Sequence, residues 1–421
     1  MAVQVVATAG GRAYADTFTW TVLRLGEGRA KNVILFISDG MGYPTVTATR
    51  IVSRGITEGK YDGFLNMDRM EYRGTVTTSG YDTLVTDSAN SASAYATGHK
   101  SVNNAMGVYE DNTKDTLDDP KVENLIELVK RTRKMATGLV STADITDATP
   151  AAFYAKTSDP LDYMTIARQL AENPGIDVLL GGGAADFLPT TQEGRRQDGR
   201  DLLNEMREKG YDIALTQADL EQMPLWRSPK TIGLFGMGNL SFVDEVTVAA
   251  TQPSLAAMVR YAIKMLQYNP RGYLLVVDAA LAGKSGTQNE GERTLRELLA
   301  LDNAVREAKT YAGDKALIIV AGKRNVGGLR LNGYPFRNDK GAGLLGTNAQ
   351  GVPSITWSTG PESGTRVTPE GPVSTEPAAS KRAAAIGTAE DAVVVATGPG
   401  SEKIHGFIDN TDLFRIVEKG L

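Results

Sequence analysis

The sequence predicts an α/β fold with a central, mainly parallel sheet and helices on both of its faces. The first observation is the continuous apolar run at residues 33–37, which is typical of a strand buried on both faces. The second is the alternation of such runs with stretches of helical periodicity, which indicates repeated β-α units. The third is the length of 421 residues, which suits one large domain with insertions.

The remaining elements follow from the same two patterns. Helical spacing of apolar residues predicts helices over residues 122–134, 255–266 and 293–311. Short apolar runs predict buried strands over residues 137–141, 178–180, 273–277, 316–320 and 392–396. Residues 351–378 are rich in Pro, Gly, Ser, Thr and Glu and have little periodicity, so we predict an irregular surface excursion there.

Residues 1–28 form a predicted unit of their own, ahead of a main domain at residues 29–421. Residues 3–8 and 17–22 are typical of strands, and Gly10 and Gly11 lie between them. Two interpretations stay open. The strands are either the end of an Ig-like or cadherin-like repeat, or an ordinary hairpin of the main domain. The first interpretation implies a larger exported polypeptide.

The composition argues against several classes of protein. The net charge of −5, from 45 basic and 50 acidic residues, argues against a general nucleic-acid binder. The absence of cysteine excludes disulfides, zinc-thiolate sites and thiol nucleophiles. The only histidines are His99 and His405, which is few for a zinc hydrolase. No apolar run approaches the roughly 20 residues that a membrane-spanning helix needs.

The strongest functional signal is the run TDSANSASAYATG at residues 86–98. It predicts that Ser88 lies at the start of a helix whose small residues, such as Ala89 and Ala92, allow close packing. A helix N-terminus offers unpaired N–H groups and the positive end of the dipole, which suit a phosphoryl group. An Asp-Ser pair by itself is a common helix cap without functional meaning. The pair alone therefore does not identify a catalytic serine.

This run resembles the nucleophile motif of the alkaline phosphatase family, and other segments resemble family motifs in the same order along residues 30–418. They are residues 38–42 (first metal loop), 147–152 (magnesium loop), 181–183 with Phe187 (glycine turn), 253–255 (start of a helix before the second metal loop) and 396–412 (C-terminal signature). The resemblance implies the fold predicted above. It also implies a phosphoserine mechanism with two zinc ions, a magnesium ion and an arginine that clamps the phosphate.

Part of the implied site is retained. By the resemblance, Ser88 is the nucleophile and Asp39 is the carboxylate shared by zinc and magnesium. Asp147 and Thr149 match the magnesium loop, and Asp278 stands where the family has a glutamate. Oxygen ligands of this kind suit hard cations. A remnant site for Mg or Ca at Asp39, Asp147, Thr149 and Asp278 is therefore left open.

The positions that match the zinc ligands carry other residues, and flanking glycines and strands fix the register. They are Gly283 and Thr287 for an aspartate and a histidine, Lys323 and Arg324 for an Asp-His pair, and Gly387 for a histidine. Zinc needs about four N, S or O ligands. We therefore expect no zinc at either site. The position that matches the family's phosphate-clamping arginine lies at or near Pro160.

Lys323 and Arg324 have two interpretations. If they point inward, they bind phosphate, sulfate or another anion near Ser88, since arginine makes bidentate contacts to such oxygens. Alternatively, they point to solvent or pair with Asp39 and neutralise a carboxylate that has no metal.

We therefore predict an alkaline-phosphatase-like domain that has lost zinc-dependent phosphomonoesterase activity. It would have a structural, surface or binding role in a larger exported protein, extracellular or at the cell surface. The expected partners are other domains or subunits of that assembly, and a homodimer stays open. The alternative is an active hydrolase of phosphate or sulfate esters that uses Ser88 with a reduced or unusual metal set.

Overall fold

The computed structural model describes residues 2–9, 12–19, 29–109, 119–173, 175–224, 230–246, 251–332, 353–368 and 371–421. Its strands, in chain order, are β1 Ala2–Ala9, β2 Arg12–Thr19, β3 Asn32–Asp39, β4 Ile56–Thr57, β5 Lys60–Tyr61, β6 Tyr72–Val76, β7 Ala136–Asp144, β8 Val178–Gly182, β9 Asp212–Ala214, β10 Thr231–Leu234, β11 Tyr273–Ala279, β12 Ala316–Val326, β13 Leu329–Leu331, β14 Ile355–Gly360, β15 Gly364–Thr368, β16 Gly371–Thr375, β17 Ala378–Lys381, β18 Gly387–Thr388, β19 Ala392–Thr397 and β20 Gly406–Ile408.

The α-helices of the described residues lie between these strands. They are α1 Tyr43–Arg54, α2 Ser88–Thr97, α3 Leu125–Arg133, α4 Ala148–Ala151, α5 Tyr163–Glu172, α6 Leu202–Glu208, α7 Gln217–Gln222, α8 Leu255–Leu266, α9 Leu281–Gly286, α10 Gly291–Tyr311 and α11 Asp412–Gly420.

The predicted central sheet is confirmed. In the described part of the chain it has eleven strands in the order β20-β6-β19-β12-β3-β11-β7-β8-β10-β9, with β18 paired to β12. The pairings from β12 through β3, β11, β7 and β8 to β10 and β9 are all parallel. β19 runs antiparallel to both β12 and β6. The sheet is therefore mixed but mostly parallel.

Alternating residues of β3 belong to two separate hydrophobic cores. Leu35 lies in the core that contains residues of α2, α3, α5, α6 and α11. Phe36 lies in the core that contains residues of α8 and α10. Both faces of this strand are covered, so none of its side chains in the run faces solvent. This explains why the apolar run is unbroken. The helices thus cover both faces, as the sequence predicts.

The prediction of irregular structure over residues 351–378 is wrong for most of its described part, which contains β14, β15 and β16. β14 pairs with β13 and β17, and Trp357 in β14 is 2% exposed. Trp357 packs with Ile355 and Leu329 in a third core cluster. The Pro- and Gly-rich composition concealed this strand, because its burial comes from contacts with residues distant in sequence.

At the N-terminus, β1 and β2 pair antiparallel in a two-stranded sheet of their own. The predicted strand at residues 17–22 ends at Thr19 within the described residues, and residues 10–11 and 20–28 lie outside them. Both interpretations of this hairpin stay open. Of the helices in the described ranges, none has the length and apolar character needed to cross a bilayer.

Candidate functional site

The candidate site lies at the carboxyl ends of the adjacent parallel strands β12, β3, β11 and β7, where ligands bind in open α/β sheets. Asp39 is the last residue of β3, and Asp278 lies near the end of β11. Gly40 follows Asp39 with a φ of 73°, a conformation that favours glycine, and its N–H donates to the carbonyl of Arg324 at 2.8 Å. The end of β3 is thereby fixed against β12.

A β-bulge in β12 directs two consecutive cations at one carboxylate. The register with β3 shifts so that Gly322 pairs with Ser38 but Arg324 pairs with Asp39, which leaves Lys323 as the extra residue. Neighbouring side chains of a regular strand point to opposite faces, whereas a bulge re-aims one of them. As a result, Lys323 and Arg324 both contact Asp39.

Ser88 is the first residue of α2, as the sequence predicts. The side chain of Asp87 caps this helix by accepting a hydrogen bond from the N–H of Ala89 at 2.7 Å. The hydroxyl of Tyr95, in the same helix, donates to the carbonyl of Gly322 at 2.7 Å. This contact ties α2 to the bulge, so that the serine and the two cations are held against one another.

Asp39 is the centre of the contacts. The Lys323 ammonium lies 2.5 Å from its Oδ1, and the Arg324 Nε donates to the same oxygen at 3.3 Å. The Ser88 hydroxyl donates to Asp39 Oδ2 at 3.0 Å, and Arg324 Nη2 donates to Ser88 Oγ, also at 3.0 Å. One carboxylate, one serine and two cations thus form a closed network.

The network determines the charge of its members. Burial alone would raise the pKa of Asp39, but the charges of Lys323 and Arg324 outweigh it and hold that pKa well below 3.8. Burial lowers the pKa of Lys323 below 10.5, while the attraction of Asp39 opposes this change. Because the ammonium lies so close to a carboxylate with a depressed pKa, we describe the two groups as an ion pair.

Asp278 and Asp147 lie beside this network. Asp278 is fully buried, and its Oδ2 accepts a hydrogen bond from Ser141 at 2.7 Å. Its Oδ1 has no hydrogen-bond partner among the residues that the structure describes. Burial raises the pKa of Asp278 to about 7, against the lowering effects of Lys323 and Ser141. Asp147 forms an ion pair with Lys284.

Lys284 and Ser141 are site residues to which the sequence analysis assigned no role. Burial alone would lower the pKa of Lys284, but the negative charges nearby, above all that of Asp147, together have the larger effect and raise that pKa above 10.5. The signal for this lysine was its place one residue after Gly283, a position that matches a zinc ligand of the family, and both residues lie in α9. Thr149, a predicted member of the same set, is buried in α4. In the described ranges, no group of three or more His, Cys, Asp or Glu residues is placed to hold a metal ion.

Of the five substituted positions, Lys323 and Arg324 belong to the network, and Gly283, Thr287 and Gly387 are the other three. A Cβ at Gly283 would lie 2.2 Å from the Cβ of Asp39, and a Cβ at Gly387 would lie 2.8 Å from the carbonyl oxygen of Thr86. Thr287 donates its hydroxyl to the carbonyl of Lys284 at 2.6 Å. The Asp39 side chain beside Gly283 and the Thr86 backbone beside Gly387 therefore leave no room for larger ligand side chains at these two positions.

A cleft of about 880 Å³ opens onto Ser88. Its described lining includes the groups discussed above and the predicted position of the clamping arginine, namely Ser88, Asp39, Arg324, Lys284, Asp147, Thr287 and Pro160. We call it the Ser88 cleft. Lys323 is 0% exposed and lies behind Asp39, whereas Arg324 reaches the cleft. His99 instead packs on Tyr109, with ring centroids 4.7 Å apart.

Comparisons with known proteins agree on one family. The sequence profile described as alkaline phosphatase matches residues 30–421. The chain is 32% identical to the tissue-nonspecific alkaline phosphatase of Gallus gallus, over 74% of this chain and 67% of that protein. It is 30% identical to alkaline phosphatase H of Pseudomonas aeruginosa, over 94% of this chain and 86% of that protein. The crystal structure of Thermus thermophilus alkaline phosphatase has a TM-score of 0.76 and 22% identity, over 94% of this chain and 92% of that chain, and this likeness concerns the fold.

Proposed function

Since the chain belongs to the alkaline phosphatase family, we propose that it keeps the family's phosphate-binding cleft but has lost the two-zinc mechanism, and that it binds phosphate-type oxyanions without turning over phosphate monoesters. The single observation that carries this proposal is the ion pair between Lys323 and Asp39, with 2.5 Å between Nζ and Oδ1. The carboxylate that would serve a metal is bonded to a cation of the chain itself.

The residues present do not fit a zinc ion. Zinc in proteins takes about four nitrogen, sulfur or oxygen ligands. A protonated lysine and an arginine have no lone pair to offer, and they stand at two of the positions that match zinc ligands. A third position, Gly283, has no space for a side chain, because its Cβ would lie 2.2 Å from that of Asp39. Asp39 and Ser88 alone are too few.

Without zinc, Ser88 is a weak nucleophile. A serine hydroxyl needs a nearby base or a metal to lose its proton at neutral pH. Its hydrogen-bond acceptor is Asp39, at 3.0 Å. The charges of Lys323 and Arg324 outweigh the effect of burial and hold the pKa of Asp39 well below 3.8, so this carboxylate is a poor base. The proton of Ser88 therefore stays on its oxygen.

The same arrangement suits the binding of an oxyanion. Arg324 and Lys284 both reach the Ser88 cleft, and the N-terminus of α2 adds the positive end of a helix dipole. Arginine holds phosphate oxygens in bidentate geometry. Phosphate and sulfate monoesters are therefore the proposed class of ligand.

The test is the turnover of p-nitrophenyl phosphate at alkaline pH with added zinc and magnesium, for the wild type and for Ser88→Ala. We expect the same background rate for both, because the serine is not activated. A wild-type rate well above that of Ser88→Ala would contradict the loss of activity.

That second outcome would favour the alternative function, a hydrolase that uses Ser88 with an unusual cation set. One observation supports it: Arg324 Nη2 lies 3.0 Å from Ser88 Oγ, where it would contact a phosphoryl group on the serine. Intact-mass measurement after incubation with the ester distinguishes the two functions, since only the alternative gives a phosphoserine. A role within a larger exported assembly stays a prediction, and so does a homodimer, which sedimentation of the purified chain would test.

A further inference from the structure

A second cavity lies beside the Ser88 cleft, and residues of α8 and α10 line it. Its volume of about 380 Å³ falls in the range of roughly 300–1,000 Å³ that is usual for small-molecule sites. Leu240 and Leu281 line both cavities and so form a wall between them. We call this cavity the Glu297 pocket, after a residue in its lining.

The surface of the Glu297 pocket is largely apolar, and its rim is preformed. Its described lining includes apolar side chains on which a ligand can pack, among them Leu240, Val243, Val246, Leu255, Leu281 and Ala300. The N–H of Ser241 donates to Gln252 Oε1 at 2.9 Å, and Gln252 Nε2 donates to the carbonyl of Ser241 at 3.2 Å. These two hydrogen bonds join the segment that contains Val243 to the residues that precede α8.

Glu297 places a carboxyl group in this apolar lining. The residue is 5% exposed, and its Oε1 accepts a hydrogen bond from the N–H of Val243 at 2.7 Å. Burial raises the pKa of Glu297 to about 7, against the effect of this hydrogen bond. The charges of Asp244 and Glu245 add to the rise. The ionised form of Glu297 is therefore disfavoured by its surroundings, and a cation beside it would favour that form.

The arginine one helical turn before Glu297 is already engaged by other carboxylates. The side chain of Arg293 is 3% exposed, and its guanidinium donates to three carboxylates, those of Asp244, Glu245 and Glu290. In the described part of the chain, the ion pairs of Arg293 are with these three and not with Glu297. The surroundings of Glu297 therefore hold more negative than positive charge.

We propose that the Glu297 pocket binds a small organic ammonium ion, whose charge pairs with Glu297 and whose apolar group packs against the valines and leucines of the lining. A cation gains a charge-assisted hydrogen bond there. An anion would be repelled by the carboxylates, and a neutral apolar molecule would bury the carboxylate further without a partner. The proposal does not depend on whether the Ser88 cleft binds an oxyanion.

Benzylamine is the probe for this site, and benzyl alcohol is its neutral analogue. Their dissociation constants would be measured by ligand-observed NMR at pH 8, where Glu297 is ionised and a primary amine keeps its proton. Glu297→Gln removes the charge but keeps an acceptor for the N–H of Val243. Ala300→Phe fills the pocket from α10. Glu292→Gln is the matched control, because Glu292 lies on the same helix with 57% of its side chain exposed.

We expect the wild type and Glu292→Gln to bind benzylamine equally, and about tenfold more tightly than benzyl alcohol. Glu297→Gln should bind benzylamine about tenfold more weakly, because the charge-assisted hydrogen bond is lost, and should bind benzyl alcohol as before. Ala300→Phe should bind neither probe, because the space that they occupy is filled.

Three results would overturn the proposal: no binding of benzylamine to the wild type at tens of millimolar, equal affinity of wild type and Glu297→Gln for benzylamine, or binding that persists in Ala300→Phe, which would place the probe elsewhere. If Glu297→Gln does not fold, the wild type decides, since equal affinity for the two probes also overturns the proposal. Failure of the Ser88 cleft to bind phosphate would contradict the proposed function and leave this result unaffected.

Discussion

Arg324 is the residue through which the buried network reaches the Ser88 cleft. Its guanidinium contacts Asp39 on one side and Ser88 on the other, and it also lines the cleft. Lys323 lies closer to Asp39, at 2.5 Å, but is fully buried. The two neighbouring cations therefore have separate tasks. Lys323 neutralises the carboxylate from its buried side, and Arg324, which also contacts Asp39, is the cation that reaches the cleft.

Replacing Arg324 with alanine should weaken the binding of inorganic phosphate about tenfold or more, because a hydrogen bond to a charged group contributes roughly 1.5–3 kcal/mol. Isothermal titration calorimetry measures the affinity. Arg296→Ala is a matched control, because Arg296 is exposed on α10 and pairs with Glu292 four residues earlier.

Equal phosphate affinity for wild type and Arg324→Ala would show that Arg324 does not contact the anion. A comparable loss in Arg296→Ala would mean that the effect is one of overall charge.

At the scale of single residues, the sequence predicted which positions lie at the candidate site but not how they meet. The strand and helix patterns put Ser88, Asp39 and Asp278 next to the ends of elements, and the family resemblance singled them out. The direction of Lys323 depends on the bulge in β12, which is defined by pairing with β3. A one-residue shift of register between distant strands has no local signal in the sequence. Pairing with Asp39 was therefore one of several arrangements left open.

At the scale of elements, the strand β14 and the residues after it connect the C-terminal part of the chain to α10. Trp357 Nε1 donates to Glu376 Oε2 at 2.9 Å, and the N–H of Gly291, at the start of α10, donates to the same oxygen at 2.9 Å. Burial raises the pKa of Glu376 to about 7, against the effect of these hydrogen bonds, and the charge of Glu292 adds to the rise. In the folded chain the carboxyl group is therefore mostly protonated only below about pH 7.

This shift gives a prediction for pH. Because the folded pKa of about 7 lies above the ordinary 4.5, the folded state holds the proton more tightly. The stabilisation from Glu376 is therefore fully present below about pH 4.5 and is lost as the pH rises to 7, with a slope of at most about 1.4 kcal/mol per pH unit. Glu376→Gln should remove this part of the dependence.

Urea unfolding of both proteins between pH 4.5 and 7.5 measures the effect, and the difference between wild type and variant isolates Glu376 from other buried carboxyl groups. Parallel curves for the two proteins would contradict the prediction.

At the scale of the whole molecule, the alternation of apolar and amphipathic segments was enough to predict the fold class and the strands β3, β7, β8, β11, β12 and β19, but not β6, β9, β10 or β20. The helix over residues 255–266 matches α8 at both ends, and the strand over residues 33–37 lies inside β3. The antiparallel position of β19 between β12 and β6 was not predictable, because strand order depends on long-range pairing. The strands hidden in residues 351–378 were missed for the same reason, since Trp357 packs against residues far away in sequence.

The central claim is that a member of a zinc-dependent family has replaced its metal chemistry with cations of its own chain. Zinc content tests it most directly. The purified protein would be incubated with excess zinc, dialysed against zinc-free buffer and analysed by mass spectrometry for metal bound per chain. We expect much less than one zinc ion per chain, because Lys323 and Arg324 surround Asp39 and offer no lone pair. Two retained zinc ions per chain would contradict the account.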